Sequence, residues 1–248
     1  MPDTRRPDTT FWVDPRLVRV DRLTLNSEES HHLVRVHRAS EGTPFTAVDG
    51  TGVAYDCEVE SIDGDGVTAK ITARQPGRGE LPFAVHVLVG LPDMGPAEAV
   101  MDHVVPLGAS RIDFVACARS GRSALGPNKI ERLLRIARAG LKQSRRCRST
   151  AIVSSSSLAN AVGALPPGLR IVADPWGGPI DAFQGPYPAI SLAVGPPGGF
   201  DPEEYALLAK AGFQPISLGP SRLTTETATI ALLAVARNRL LPKGLGQI

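Results

Sequence analysis

The chain has 248 residues, of which 42% are hydrophobic and 21% are charged, and its formal net charge is +2. This composition is typical of a globular protein and excludes a disordered chain, and no apolar run reaches the ~18–20 residues that a membrane-spanning helix needs. The N-terminal stretch MPDTRRPDTT lacks the apolar centre of a signal peptide, so we predict a cytoplasmic protein.

The first third of the sequence alternates short strand-like runs with turns rich in Gly and Asp. The predicted strands are FWVD (11–14), LVRVHR (33–38), FTAVDG (45–50) and AYDCEVESI (54–62). The stretch RQPGRGELP that follows contains two Pro and two Gly, as linkers often do. We therefore predict a small β-rich domain over residues 1–75 and a linker over 76–82.

Beyond the linker, continuous apolar runs alternate with helical patterns. The predicted strands are FAVHVLV (83–89), RIDFVA (111–116), LRIVAD (169–174), AISLAV (189–194) and PISLG (215–219), and the predicted helices cover about 96–106, 128–145, 202–211 and 224–240. This alternation is typical of a parallel sheet with helices on both faces. We predict an α/β domain over 83–248, in which SSSS (154–157) is a loop.

Neither histidine nor cysteine forms a metal-binding pattern. His31 and His32 are adjacent in a β-rich segment, where neighbouring side chains usually point in opposite directions, and no third ligand lies near them in sequence. The cysteines, Cys57, Cys117 and Cys147, are far apart and form no Cys-x-x-Cys pair. We predict ordinary thiols and no metal.

Positive charge is concentrated between Arg111 and Arg148, where eleven Lys and Arg residues stand against two acidic residues, a local balance of +9. A helix predicted in this segment has Ile130, Leu133, Leu134, Ala137 and Leu141 on one side and Arg135, Arg138, Lys142 and Arg145 on another. Such a cationic face is typical of a surface that binds nucleic-acid phosphates. A solvated helix face without a partner is the alternative.

The stretch GPPGGFDPEE (195–204) connects a predicted strand to a predicted helix. Asp201, Pro202 and Glu204 form a good start for that helix, so carboxylates occupy the helix end where a phosphate would otherwise bind. The usual phosphate-binding glycine motifs are missing from the sequence. The loop therefore favours a neutral or cationic ligand, unless its glycines serve only the turn.

A second stretch, SLGPSRLTTETATIAL (217–232), has the same plan of apolar strand, Gly-Pro turn and polar entry into a long apolar helix. Two such loops at neighbouring strand ends can enclose a flat ligand through backbone contacts. Small residues in both loops permit a close approach.

Together the two stretches resemble the paired C-terminal motifs of the bacterial 16S ribosomal RNA uridine-N3 methyltransferases, a branch of the SPOUT superfamily. FWVD and HHLVRVHR resemble the β-rich PUA-like domain of that family, and LKQSRR resembles its central Gln-Ser element. The resemblance covers most of the chain. It implies a SPOUT-type parallel sheet with a C-terminal trefoil knot, a homodimer, S-adenosylmethionine as methyl donor and the small ribosomal subunit as partner.

The sequence also suggests roles for individual residues. The residues predicted to hold the donor are Val194, Gly195, Pro196, Gly198, Gly199, Leu218, Gly219, Leu223 and Thr224. Arg222, two residues from the position where the family has an arginine, is predicted to stabilise charge on the uracil ring, with a simple contact to solvent as the alternative. Glu226 or a water molecule is predicted to accept the N3 proton, and the alternative for Glu226 is a carboxylate that only supports the first turn of its helix. The residues predicted to bind RNA are Arg35, Arg38, Arg135, Arg138, Lys142, Arg145 and Arg146.

Three positions depart from the pattern of the resembled family. Pro197 stands where the family has Glu, and Ser221–Thr224 stands where it has Arg-x-Leu-Arg. The segment GLPDMGPAE (90–98) has no basic residue where the family has a Lys-Gly-Asp-Lys/Arg-like segment. A catalytically impaired or retargeted donor- and RNA-binding protein is therefore the alternative function.

Overall fold

A computed structural model describes residues 9–64, 66–121, 123–180, 183 and 186–242. The chain divides into two compact units. The N-terminal unit comprises Met1–Glu80 and Arg138–Ser149, and the C-terminal unit comprises Leu81–Ala137 and Thr150–Ile248. No local sequence pattern predicts that residues 138–149 group with the N-terminal residues. Across the described ranges, we find no helix whose length and hydropathy suit a membrane crossing.

The N-terminal unit is built on a five-stranded sheet. Its strands are β1 (Thr10–Trp12), β2 (Arg22–Leu25), β3 (Pro44–Val48), β4 (Val53–Asp63) and β5 (Gly66–Pro76), in the order β1-β3-β4-β5-β2. Only β1 and β3 pair in parallel; the other pairs are antiparallel. Phe11 and Phe45 meet edge to face at 5.5 Å in its core. The prediction of a β-rich N-terminal domain is confirmed.

The predicted strand over 33–38 is wrong, because this part of the chain is helical. Helix α1 (Ser27–His31) continues directly into a π-helical turn, His32–Val36. The side chain of Asn26 caps α1 by accepting a hydrogen bond from the amide of Glu29 at 2.8 Å. The adjacent histidines therefore lie on a helix and not on a strand. The Asn-x-x-Glu spacing was the available signal, and the apolar alternation concealed it.

Arg146 is an internal structural residue of the N-terminal unit. It is 1% exposed, and its guanidinium donates hydrogen bonds to Glu80 at 2.8 and 3.2 Å. The other carboxylate oxygen of Glu80 accepts the amides of Cys147 and Arg148 at 2.9 and 2.8 Å. Glu80 thus fixes the segment after helix α3 (Pro127–Gln143). The prediction that Arg146 binds RNA is wrong, because its charge is buried and paired.

The C-terminal unit contains a six-stranded sheet whose neighbouring strands are all parallel. The strands are β6 (Ala84–Gly90), β7 (Arg111–Val115), β8 (Ala151–Ser155), β9 (Leu169–Gly178), β10 (Ala189–Val194) and β11 (Gln214–Ile216), in the order β11-β9-β10-β6-β7-β8. The remaining helices are α2 (Met94–Val104), α4 (Leu158–Gly163), α5 (Pro202–Lys210) and α6 (Thr225–Leu240). This confirms the predicted α/β domain with a parallel sheet.

The prediction of a loop over 154–157 is wrong, because its serines end a strand and begin a helix. The hydroxyl of Ser155, in β8, donates a hydrogen bond to the fully buried Asp113 at 2.9 Å. Arg111 donates two further bonds to the same carboxylate. Ser157 caps α4 by accepting the amide of Asn160. Serine suits this strand because its hydroxyl satisfies a buried charge.

The buried Arg146–Glu80 pair makes a stability prediction. Replacing Arg146 with Ala should lower the free energy of unfolding by about 3–5 kcal/mol, because it leaves the Glu80 carboxylate without its charged partner. The matched control is Arg135→Ala, at an exposed position of α3, which should change the value by less than about 0.5 kcal/mol. Urea unfolding followed by circular dichroism measures both. Equal values for the two variants would contradict the structural role of Arg146.

Candidate active site

The order of the strands reverses between β6 and β10. From β6 the chain adds β7 and then β8 on one side, whereas β9 and β11 lie on the other side of β10. Ligands of open α/β sheets bind beyond the carboxyl ends of the strands at such a reversal. We therefore sought the functional site where β6 ends at Gly90 and β10 ends at Val194.

The backbone at the end of β6 approaches the backbone after β10 so closely that little room is left for side chains. A Cβ atom on Gly90 would lie 2.2 Å from the nitrogen of Pro196, and one on Gly195 would lie 3.0 Å from the nitrogen of Phe200. The glycine loop, which we define as Gly195–Phe200, folds back on itself through a 2.7 Å hydrogen bond from the amide of Gly199 to the carbonyl of Pro196. This close approach requires glycine at position 90, whereas a Cβ at position 195 would make tight contacts that the loop could relieve only by shifting a few tenths of an ångström.

Gly199 and Gly219 have positive φ angles of 73° and 111°, which favour glycine. Among the described residues, and apart from the immediate chain neighbours, no heavy atom lies within 4 Å of where a Cβ on either glycine would stand. Glycine is therefore favoured at these two positions because of their backbone conformation, and not because neighbouring atoms would clash with a side chain. Open space beside the backbone of both loops leaves room for a ligand to approach.

The second loop, Ser217–Thr224, is joined to the glycine loop. The amide of Ser217 donates to the carbonyl of Gly178 at 2.9 Å, which continues the pairing of β11 with β9. Thr224 caps α6, and the buried hydroxyl of Thr225 donates to the carbonyl of Gly195 at 3.1 Å. The first turn of α6 thus ties the second loop to the glycine loop.

A third segment holds the outer side of the glycine loop. The guanidinium of Arg119, just beyond β7, donates to the carbonyls of Gly198 and Phe200 at 3.0 and 3.3 Å. The amide of Ala118 donates to the carboxylate of Glu204 at 2.8 Å. Sequence reasoning missed both contacts, because 79 to 86 residues separate the partners and no local pattern connects them.

The acidic start of α5 is present as predicted. Asp201 and Glu204 form a capping box in which each side chain accepts the other residue's amide, at 2.8 and 2.9 Å. Burial raises the pKa of the nearby Cys117 thiol to about 12, and the Glu204 carboxylate adds to this shift. The thiol therefore stays protonated and is a poor nucleophile. The carboxylates of Asp201 and Glu204 occupy the start of α5, so this helix end does not bind a phosphate.

The predicted catalytic residues lie at the second loop and at the start of α6. Arg222 is exposed, and its Nη2 atom is 3.5 Å from the carbonyl oxygen of Pro197, which is a long and weak contact. Glu226 is half-buried in the first turn of α6. The structure thus brings the side chain of Arg222 to the glycine loop. It leaves that side chain largely free to turn towards a substrate.

The residues predicted to bind RNA differ in their surroundings. Arg35, Arg38 and Arg135 are exposed. Arg138 is also exposed, with its guanidinium 4.7 Å from the ring centre of Trp12. Arg145, with a positive φ of 57°, is half-buried.

Lys142 has a partner within the N-terminal unit. Its ammonium group is 2.5 Å from the carboxylate of Glu29, which is itself buried. This pairing places a cation beside a buried carboxylate, so substitution of Lys142 would test folding as well as RNA binding.

Leu134, which was predicted to lie on the apolar face of α3, is 45% exposed.

Comparison with known proteins gives two family matches. Residues 79–237 match the RNA methyltransferase domain, and residues 25–72 match the RNA methyltransferase PUA domain. The first match contains the glycine loop, the second loop and the Arg119 segment. The second contains α1, the π-helical turn and strands β3 and β4.

Individual relatives agree with these matches. The chain is 29% identical to "Ribosomal RNA small subunit methyltransferase E" of Synechocystis, over 90% of this chain and 75% of that protein. It is 26% identical to the protein of the same name from Bacillus subtilis, over 89% and 92% of the two chains. The crystal structure of such an enzyme from Neisseria gonorrhoeae bound to S-adenosyl methionine has the same fold, with a TM-score of 0.82, 23% identity and coverage of 93% and 97%.

The crowding at Gly90 makes a prediction about the site. Gly90→Ala should lower the free energy of unfolding by about 1–3 kcal/mol, because the new methyl group overlaps Pro196 and must displace the glycine loop. Gly163→Ala is the matched control. It lies in the last turn of α4 and is not followed by proline, and among the described residues no atom beyond its chain neighbours and its own helix backbone lies within 4 Å of its Cβ position, so the change should leave stability the same or raise it by up to about 1 kcal/mol. Thermal and urea unfolding measure both changes, and a Gly90→Ala protein as stable as the wild type would contradict the packing described.

Proposed function

The chain belongs to the RNA methyltransferase domain family, and from this premise we propose that it transfers a methyl group from S-adenosylmethionine to N3 of a uridine in 16S ribosomal RNA. The observation that carries the proposal is the joining of the glycine loop to the second loop, by the Thr225–Gly195 hydrogen bond, where the strand order reverses. The names of the relatives support the choice of the small-subunit RNA.

In this proposal the donor lies between the two loops. The open space beside Gly199 and Gly219 gives a flat adenine ring access to the backbone. The loop residues around them form the rest of the predicted donor site: Val194, Gly195, Pro196, Gly198, Leu218, Leu223 and Thr224. The acidic start of α5 does not repel the donor, whose sulfonium is cationic. The donor supplies an electrophilic methyl group, and the protein orients it.

Methylation at N3 requires removal of the imide proton and stabilisation of the charge that spreads onto the two carbonyl oxygens of the uracil. We assign the stabilisation to Arg222, because its weak contact with Pro197 leaves its donors available. Arg119 is a poor candidate for this role, since the carbonyls of the glycine loop already engage its guanidinium. Glu226, or a water molecule beside it, is the proposed proton acceptor.

RNA binding is assigned to basic residues that are exposed or half-buried. The proposed contacts are Arg35, Arg38, Arg135, Arg138, Lys142 and Arg145, of which Lys142 also serves the buried Glu29. Arg138 keeps its planar guanidinium stacked on Trp12, which preorganises it for a phosphate. The proposal further includes a cytoplasmic location, a homodimer and a C-terminal trefoil knot, all of which the family resemblance implies.

A retargeted or impaired donor- and RNA-binding protein is the second candidate. It is favoured by Pro197, which offers Arg222 only a backbone carbonyl where the resembled family has a carboxylate. Titration calorimetry with S-adenosylmethionine distinguishes the two functions when it is combined with a transfer assay. Tight donor binding without methyl transfer to 16S RNA supports the second candidate.

The direct test of the proposed function uses small ribosomal subunits that lack the modification. Incubation with the protein and S-adenosylmethionine should yield 3-methyluridine, detected by mass spectrometry of the digested RNA. Gly199→Val should yield none and should not bind the donor, because a β-branched residue cannot adopt the φ of 73° without distorting the loop. The proposal fails if the wild-type protein leaves the RNA unmodified under conditions in which a relative modifies it.

A further inference from the structure

Strand β9 has a bulge close to the second loop. Val172 of β9 pairs with Pro215 of β11, and the next pair joins Gly178 to Ile216. The five residues 173–177 therefore have no counterpart on β11 and protrude at the carboxyl end of the strands. Because the amide of Ser217 bonds to Gly178, the bulge stands beside the start of the second loop.

The bulge is held in place at three points. The carboxylate of Asp174 accepts the amide of Trp176 at 2.7 Å and also interacts with the hydroxyl of Tyr205. Burial and the Asp174 charge raise the pKa of Tyr205 to about 12, so this hydroxyl remains a donor at neutral pH. A Cβ on Gly177 would lie 2.5 Å from the backbone of Ile216, so the end of the bulge packs tightly against β11.

This fixed backbone carries an uncovered aromatic side chain. Trp176 is 94% exposed, the highest fraction among the large hydrophobic side chains of the described residues. An indole left in water on a well-anchored bulge does not contribute to the core. A single exposed aromatic is not by itself a binding surface, but a flat indole fixed beside a candidate RNA-binding loop is suited to stacking on a nucleobase.

We propose that the indole of Trp176 stacks on a nucleobase of the RNA substrate, beside the uridine that is methylated. The inference rests on the proposed function, because it takes RNA as the ligand. A target base must leave its stack to meet the methyl donor, and proteins hold unstacked bases against aromatic rings. The bulge stands next to the loop that carries Arg222, so a base stacked there would help to place its neighbour in the crevice.

The test of the stacking contact uses the fact that the chain has two tryptophans, Trp12 and Trp176. In a Trp12→Phe background, fluorescence reports on Trp176 alone. Titration with a 16S RNA fragment that contains the target uridine should quench this emission, whether or not methyl transfer takes place. Unchanged emission at saturating RNA would overturn the inference.

Substitution of Trp176 provides the second measurement. Trp176→Ala should raise the KM for unmodified small subunits roughly 5- to 150-fold, the loss expected for one base–aromatic stack. Trp176→Phe is the matched control and should retain most of the affinity. Both variants should bind S-adenosylmethionine like the wild type, because the stack is made with RNA.

The outcomes separate this inference from the proposed function. If Trp176→Ala methylates with an unchanged KM, the stacking inference is wrong and the proposed function stands. If RNA quenches the Trp176 emission of the Trp12→Phe protein but the wild type produces no 3-methyluridine, the proposed function fails and the stacking contact stands. Sedimentation provides a further check, because a Trp176→Ala protein that changes its oligomeric state would assign the indole to a contact between copies of the chain and overturn the inference.

Discussion

The close approach of two backbones, at Gly90 and at Gly195–Pro196, is the constraint on which the rest of the site depends. With 2.2 Å between a notional Gly90 Cβ and the Pro196 nitrogen, no other residue fits at position 90 without moving the glycine loop. This approach sets where the loop after β10 begins. Thr225 then ties the same loop to α6, so the crevice is defined by backbone atoms whose positions depend little on side-chain rotamers.

The charged side chains around the crevice differ in how strongly the protein holds them. The charges of Arg119 and Glu204 support the glycine loop and the start of α5 through hydrogen bonds to main-chain atoms. Among the described residues, the hydrogen bond found for the exposed Arg222 side chain is one long contact, to the carbonyl of Pro197. A cationic side chain that is held this weakly beside a fixed backbone suits a reaction in which negative charge develops on the substrate during the chemical step. Pro197 contributes to this arrangement through its carbonyl alone.

Much of the C-terminal unit could be predicted from the sequence because its signals are local. The capping box of Asp201 and Glu204 and the mainly apolar, fully buried run of β10 each specify their structure within a few residues. The helix at His32–Val36 was not predicted, because its apolar residues alternate as they do in a strand. The burial of Arg146 also escaped prediction, since its partner Glu80 lies 66 residues away and a cationic sequence pattern does not distinguish a paired charge from a free one.

Hydrogen exchange with and without S-adenosylmethionine is the most direct measurement of the central claim, that the two loops together form the donor site. The account predicts that the donor slows exchange of amides in Val194–Phe200 and Ser217–Thr224 together, because one ligand contacts both loops. It predicts no slowing in β4 and β5 of the N-terminal unit. Protection of one loop without the other, or protection confined to another part of the chain, would contradict it.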